Sequence, residues 1–327
     1  MPSPRRRFKI LLGIAISGTL LAYLFWEADI GAVVGRLADT HWGFLAASLA
    51  LIWASLLVRA RRWHYLFPPA ARPTRLFNAL MIGYMGNNLL PLRAGELLRV
   101  YVVARRGQNF WTTVATVVVE RVLDSLAIGL MLACLFLLMP VPRELQWAAL
   151  AFVSIDLAAM GVLGLLAAAP QGCRNATDRL LSGRPRLREP LLKALDIVNQ
   201  GLAGLRTPRH FLPIVLWSTA IWVFLVLSIW AALFAARLDL PLGAAWAVLA
   251  FTGLGVSLPS SPGFLGVVQA ASVLALALFA VPRMEALSFS LLMHASQFFP
   301  VTIYGLALLL VEHVTLSEAK QSARAPS

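Results

Sequence analysis

Long apolar stretches alternate with short polar ones along most of the chain. A helix rises 1.5 Å per residue, so about 20 apolar residues cross the roughly 30 Å hydrocarbon core of a bilayer. The pattern predicts an all-α polytopic membrane protein, because the alternating strands of a membrane barrel are missing from the sequence. The six predicted full spans lie at residues 8–26, 42–60, 112–139, 147–169, 211–235 and 286–311.

Two further apolar regions are each interrupted by a polar breaker. Region 76–105 contains "NNLLPLRAGE", and region 241–281 contains "PSSPG". We expect both to form re-entrant hairpins, since irregular backbone at membrane depth is tolerated where protein or a water-filled cavity covers it. Eight full spans are the alternative, but arm 97–105 is short and charged for a crossing segment.

The loop charges set the expected orientation. Lys and Arg number 28 against 15 Asp and Glu, a net charge of +13, while 59% of residues are hydrophobic. The positive charges lie mainly in alternate loops, which follows the positive-inside rule and argues against a nucleic-acid partner. We therefore expect the chain to span the inner (cytoplasmic) membrane several times, with both termini in the cytoplasm. The two hairpins would then enter from opposite sides.

The order of these elements repeats once. Span, span, hairpin and span are followed by the same series in the opposite orientation, the pattern of inverted-repeat transporters. We interpret residues 1–327 as a single integral membrane domain. Its first half is 1–140, its second half is 141–312, and a short tail covers 313–327.

The first breaker contains residues that end one helix and start another. Pro91 removes a backbone donor and Gly95 tolerates unusual dihedral angles. Asn87 and Asn88 can satisfy backbone groups that the break releases. The stretch is therefore expected to be a structured turn inside the membrane.

Three charges follow in the same stretch. Glu96 and Arg99 are three residues apart and can pair on one helix face. Arg93 has no acid at helical spacing, so its guanidinium is the better candidate for binding a phosphate. The alternative is that all three side chains extend to the headgroup level.

The third full span carries a second charged group. Glu120 and Asp124 are four residues apart on one face, and Arg121 lies about 100° around the helix. Charges inside a membrane require partners or water. Two interpretations stay open. One is internal pairing with Arg93 and Arg99, and the other is a polar cavity for a charged headgroup or a proton.

Basic residues also follow the second span, in "RARRW". We expect Arg59, Arg61 and Arg62 to lie at the membrane surface and contact anionic headgroups.

The second breaker pairs prolines with serines and glycines. Its prolines restrict the backbone, its glycines permit close approach, and the following helix directs N-terminal amides toward the break. This predicts either a weak anion site or a simple tight turn. The residues are Pro259, Ser260, Ser261, Pro262, Gly263 and Gly266.

Recognisable catalytic motifs are missing from the sequence, including those of nucleotide-binding loops, serine hydrolases and zinc proteases. We therefore expect no enzyme activity, cofactor or metal. Glu120 and Asp124 leave open one alternative, an intramembrane transferase that uses carboxylates as acid and base.

Four motifs in this order resemble the lysylphosphatidylglycerol synthase transmembrane-region family, also called flippase-like membrane proteins. They are "RARRW", "GNNLLPLRAGELLR", "VERVLDSL" and "PSSPGFLG". The resemblance implies a domain that moves lipids between leaflets. Relatives attach a separate synthase domain, which we do not expect here. An acid that we associate with the last motif is replaced by Gln269.

The resemblance implies a site built from the last three of these motifs. Its members would be Asn88, Pro91, Arg93, Gly95, Glu96, Arg99, Glu120, Arg121, Asp124, Pro262, Gly263 and Gly266.

We therefore predict a lipid flippase-like transporter whose partners are membrane lipids. It could also assemble as a homo-oligomer or with enzymes of lipid biosynthesis. The alternatives are a transporter of small solutes and an accessory protein of lipid or envelope biosynthesis that transports nothing.

Overall fold

The computed structural model describes residues 15, 18–20, 22, 23, 30–67, 73–139, 143–202, 208–257 and 261–312. Within these ranges the chain is helical and without strands. Most of the predicted first span and the whole predicted tail lie outside them. The α-helices are α1 (Ile30–Ala38), α2 (Trp42–Leu66), α3 (Pro73–Leu89), α4 (Gly95–Ala104), α5 (Phe110–Leu138), α6 (Arg143–Ala168), α7 (Pro170–Leu180), α8 (Pro185–Gly201), α9 (Pro208–Ala235), α10 (Leu242–Ser257), α11 (Val267–Ala277) and α12 (Arg283–Val311).

Four helices of the described residues are long and apolar enough to cross a membrane. They are α2, α5, α9 and α12, with 25 to 29 residues each. A fifth span is formed if α6 and α7, which are bent by 100° at the break between them, are counted as one. The predicted all-α polytopic membrane architecture is confirmed.

Each interrupted apolar region folds as two packed helices around a turn. Helices α3 and α4 pack against each other across the turn Pro91–Arg93, and α10 packs on α11 across the turn Pro262–Phe264. Helix α4 has 10 residues and α11 has 11, so each is roughly 15–17 Å long. Both are too short for a hydrocarbon core of about 30 Å. The geometry therefore favours two hairpins over eight full spans.

The two turns share one backbone conformation. In Pro91–Arg93 the second and third residues have φ of 59° and 52°, and in Pro262–Phe264 the corresponding values are 69° and 59°. In both turns a glycine, Gly95 or Gly266, stands four residues after the proline. Left-handed angles cost of order 1–3 kcal/mol at a residue other than glycine, so the surrounding helices must hold these turns in place. This local similarity supports the predicted repeat.

The base of the first hairpin lies at the C-terminal end of α12. Arg106, just after α4, forms an ion pair with Glu312. Asn78, in the first half of α3, donates a hydrogen bond of 3.4 Å to the same carboxylate.

The base of the second hairpin lies at the opposite end of the bundle. Trp230 of α9 donates a hydrogen bond of 3.0 Å to the carbonyl of Leu240, which precedes α10. Near the same end, the amide of His41 donates to the carbonyl of Ala235 at 2.8 Å. Helices α2 and α9 are therefore antiparallel, and the hairpins enter the bundle from opposite ends, as predicted.

We expect Gly95→Ala to destabilise the first hairpin. A Cβ at this position would stand 1.9 Å from the carbonyl oxygen of Gly83 and 2.4 Å from the amide nitrogen of Asn87. Since both atoms belong to backbone, α3 and α4 would have to separate, at a cost of about 1–3 kcal/mol or more. Thermal unfolding of the detergent-purified protein measures the effect.

The matched control is Gly161→Ala on α6, where an added Cβ meets no atom within 4 Å. Equal unfolding temperatures for the two variants would contradict the close approach of α3 and α4.

Candidate functional site

Seven charged side chains from α2, α4 and α5 meet inside the bundle. We call them the charged cluster: Arg59, Arg62, Glu96, Arg99, Glu120, Arg121 and Asp124. Four guanidinium groups face three carboxylates, so the cluster carries a formal charge of +1.

Asp124 joins α2 to α5. Its carboxylate accepts a hydrogen bond of 2.8 Å from Nη2 of Arg62 and another from Arg59. Nη2 of Arg121 lies 3.1 Å from Oδ2 on the third side. Three arginines therefore surround one carboxylate.

Glu120 joins α4 to α5. Both of its oxygens lie 3.2 Å from Nη1 of Arg99, and Nη2 of Arg121 lies 2.5 Å from Oε1. Arg99 also pairs with Glu96, with Nη2 and Oε2 2.5 Å apart. The predicted pairing of Glu96 with Arg99 is confirmed. The alternative in which the charges of the third span pair inside the protein is also realised for Glu120 with Arg99 and Arg121.

Because most of the charged cluster is buried, its ion pairs constrain the positions of α2, α4 and α5 relative to one another. Glu120 and Arg62 are fully buried, and Arg99 is 3% exposed, so these side chains are covered by protein and do not extend into the surroundings. The side chain of Arg121 is the most accessible of the cluster, at 34%. A buried guanidinium in excess over carboxylates is costly unless an anion compensates it. The arrangement is therefore suited to receiving a negatively charged group.

The prediction that all three basic residues after the second span lie at the membrane surface is wrong for two of them. Arg59 and Arg62 are 7% and 0% exposed, while Arg61 is exposed. Residues three apart share a helix face, so Arg59 and Arg62 both face Asp124, and Arg61 lies on another side. The spacing was visible in the sequence, but the partner acid is more than 60 residues away.

Trp63 is a member of the site that sequence reasoning missed. It is fully buried, and its Nε1 donates a hydrogen bond of 3.0 Å to Oγ1 of Thr116. The guanidinium of Arg99 lies over its ring, 4.9 Å from the centroid. Trp63 therefore holds Arg99 in position through a cation–π contact.

Arg93 lies outside the charged cluster, at the tip of the first hairpin. Its Nη2 donates to the carbonyl of Val256 on α10, and its guanidinium lies 5.5 Å from the ring centroid of Phe264. Within the described residues it has no carboxylate in ion-pair distance, so the part of the internal-pairing alternative that included Arg93 is not realised. Arg93 instead links the tips of the two hairpins.

The two asparagines of the first breaker bond to side chains as well as to backbone. Asn87 donates to Glu96 at 3.3 Å. Asn88 donates to Oγ1 of Thr302 at 2.8 Å and reaches the carbonyl of Phe298, which ties the first hairpin to α12.

The second breaker is held by a side chain from the following helix. Gln269 is 1% exposed, and its Oε1 accepts a hydrogen bond of 2.7 Å from the amide of Gly266. Its Nε2 lies 2.9 Å from Nδ1 of His294 on α12. Since the Gly266 amide already has a partner, the weak anion site expected here is not supported, and the tight turn is the better description. Pro259 and Ser260 lie outside the described residues.

A cavity of about 320 Å³, the central cavity, lies inside the bundle, with walls from α2, α3 and α9 to α12, and its lining includes Asn88 before the first turn and Phe264 in the second. Most of its lining is apolar or aromatic. Arg59 belongs both to this lining and to the charged cluster, so it connects the two. The polar side chains of the lining are Ser55, Arg59, Tyr84, Asn88, Thr252, His294 and Gln297.

Membrane-spanning helices, two opposed hairpins and a buried ion-pair cluster define a polytopic helical membrane protein. The chain belongs to the family described as the lysylphosphatidylglycerol synthase TM region, whose model matches residues 10–305. The predicted family is confirmed, and with it a membrane protein of lipid-related processes.

One relative is the glycosyltransferase AglD of Haloferax volcanii, which is 25% identical over 98% of this chain. The match covers 57% of that protein, so the chain spans little more than half the length of its relative. No solved structure matches the chain.

We expect Asp124→Asn to destabilise the bundle strongly. The change removes the charge that Arg59 and Arg62 share while leaving both guanidinium groups buried. Breaking a buried ion pair by removing one partner costs about 3–5 kcal/mol. Chemical or thermal unfolding in detergent measures the loss.

Asp178→Asn is the control, because Asp178 pairs with Arg188 where both side chains are 42% exposed. Exposed ion pairs contribute little to stability. If both variants lost the same stability, the constraint would not come from burial.

Proposed function

We propose that this protein moves a lipid with an anionic headgroup between the two leaflets of the cytoplasmic membrane. The observation that carries the proposal is the excess positive charge of the buried cluster, which Arg59 connects to the central cavity. A phosphate would compensate this charge with the bidentate geometry that guanidinium groups favour.

The composition of the cavity supports a lipid more than a small polar solute. Its polar groups are a minority among apolar and aromatic walls, which would suit the boundary between a headgroup and its chains. The family, named for the membrane region of a lipid synthase, agrees with this choice.

The hairpins provide the elements that would open the cavity alternately. They enter from opposite ends and meet through Arg93, which contacts Val256 and Phe264 of the second hairpin. Separating the tips on either side would expose the cavity to one leaflet at a time, as in transporters built from inverted repeats.

The charged residues then receive distinct roles. Arg93, which has no carboxylate in ion-pair distance within the described ranges, would share the phosphate with the charged cluster once its contact with Val256, a residue of the cavity wall, is released. Glu120 and Asp124 would hold the surrounding arginines in place, since their oxygens already accept guanidinium groups. We assign no catalytic step to these carboxylates.

The loop charges support an orientation for this transport. Both termini would lie in the cytoplasm, with the first hairpin entering from that side, because its flanking loops are the basic ones. Membrane lipids would be its principal partners.

The test is lipid translocation in liposomes that contain the purified protein. Dithionite added outside reduces the fluorescent label of headgroup-labelled phosphatidylglycerol in the outer leaflet. Label that starts in the inner leaflet is reduced only after its lipid has been translocated. We expect wild type to expose nearly all label and protein-free liposomes about half. Arg93→Gln should slow translocation about 10- to 100-fold, because a charged hydrogen bond contributes roughly 1.5–3 kcal/mol.

The matched control is Arg61→Gln, which removes an exposed arginine from α2. Thermal unfolding verifies that both variants fold. Wild type that translocates neither phosphatidylglycerol nor a labelled isoprenoid phosphate would contradict the proposal and favour the accessory role. Solute flux without lipid translocation would favour the small-solute transporter.

A further inference from the structure

A second cavity lies on the side of the bundle, between α5 and α9. Its volume is about 430 Å³, and its lining is almost entirely apolar. We call it the lateral groove. Among its lining residues are Leu126, Leu130, Val215, Thr219, Val223 and Trp246.

The lateral groove faces the hydrocarbon of the membrane. Both of its walls are spanning helices, and its lining residues come from their central turns. Leu130 is 59% exposed and Val223 is 48% exposed, which is costly in water but favourable against lipid chains.

One described side chain, Trp222 of α9, lines both the lateral groove and the central cavity. Its Nε1 is buried without a hydrogen-bond partner among the described residues. Buried indole N–H groups usually have such a partner, so this ring lacks the bond that would hold it in one orientation. Rotation of Trp222 would join the two spaces.

The charged cluster also contacts the wall of the lateral groove. Ser218, which lines the groove, accepts a hydrogen bond of 3.3 Å from Nη1 of Arg62. Arg62 is fully buried and also pairs with Asp124. The lateral groove therefore borders the charged cluster at Ser218.

We propose that the lateral groove binds the hydrocarbon chain of an anionic membrane lipid, and that Trp222 is the gate through which its headgroup enters the central cavity. The chain would stay among apolar side chains while the headgroup approached Arg62 and Arg59. This inference deepens the proposed function and depends on it for the transport step, although binding can be tested alone.

Binding is tested with phosphatidylglycerol that carries a photoreactive diazirine in its acyl chain. The full-length protein is reconstituted with this lipid, irradiated, and mapped by mass spectrometry. We expect labelled peptides from both groove walls. Unlabelled phosphatidylglycerol should compete at least fivefold better than diacylglycerol, which lacks the anionic headgroup. Equal competition would mean general lipid contact and would overturn the site.

Two matched pairs of variants test occupancy of the lateral groove. Val223→Trp and Leu130→Trp fill it from α9 and α5. Leu216→Trp and Leu137→Trp place the same ring on exposed positions of the same helices outside it. We expect the first pair to reduce both labelling and translocation at least tenfold, and the second pair to change neither. Thermal unfolding verifies folding of all four.

The outcomes separate the two proposals. Competed labelling that Val223→Trp abolishes, without translocation by wild type, would reject transport and keep the binding site. Translocation that both groove-filling variants leave intact would reject the lateral groove and keep the proposed function.

The gate has a separate test. Trp222→Ala removes the ring between the two cavities, so we expect translocation to become at least twofold faster. An unchanged or lower rate in a correctly folded variant would overturn the role of Trp222.

Discussion

Ion pairs between guanidinium and carboxylate groups, buried where lipid surrounds the helices, are the interaction on which the rest of this structure depends. Asp124 connects α2 to α5, and Glu120 connects α5 to α4, so the first half of the bundle is assembled around shared charges. Burying any of these groups alone would be costly, and together they compensate one another except for one positive charge. The same arrangement that fixes helix positions therefore also creates an affinity for anions.

Sequence reasoning succeeded where the signal was local. Pro91 and Pro262 interrupt apolar stretches, and a break inside a membrane segment predicts a hairpin from backbone chemistry alone. The pairing of Glu96 with Arg99 follows likewise from helical spacing.

It failed where the deciding contact was distant in sequence. Arg59 and Arg62 stand in a basic stretch at a helix end, which usually indicates a membrane surface, and only the fold brings Asp124 to them. Trp63 was hidden for the same reason, since its partners come from α4 and α5. The lateral groove could not be predicted either, because its walls come from α5 and α9, which are far apart in sequence and lie side by side only in the fold.

The contact between Arg93 and Phe264 has a mechanical consequence. Each is the third residue of its turn, so equivalent positions of the two turns touch each other. We expect a displacement of one hairpin tip to shift the other tip through this contact. Such a linkage would make simultaneous opening toward both leaflets unfavourable, and so protect the membrane from becoming permeable to ions.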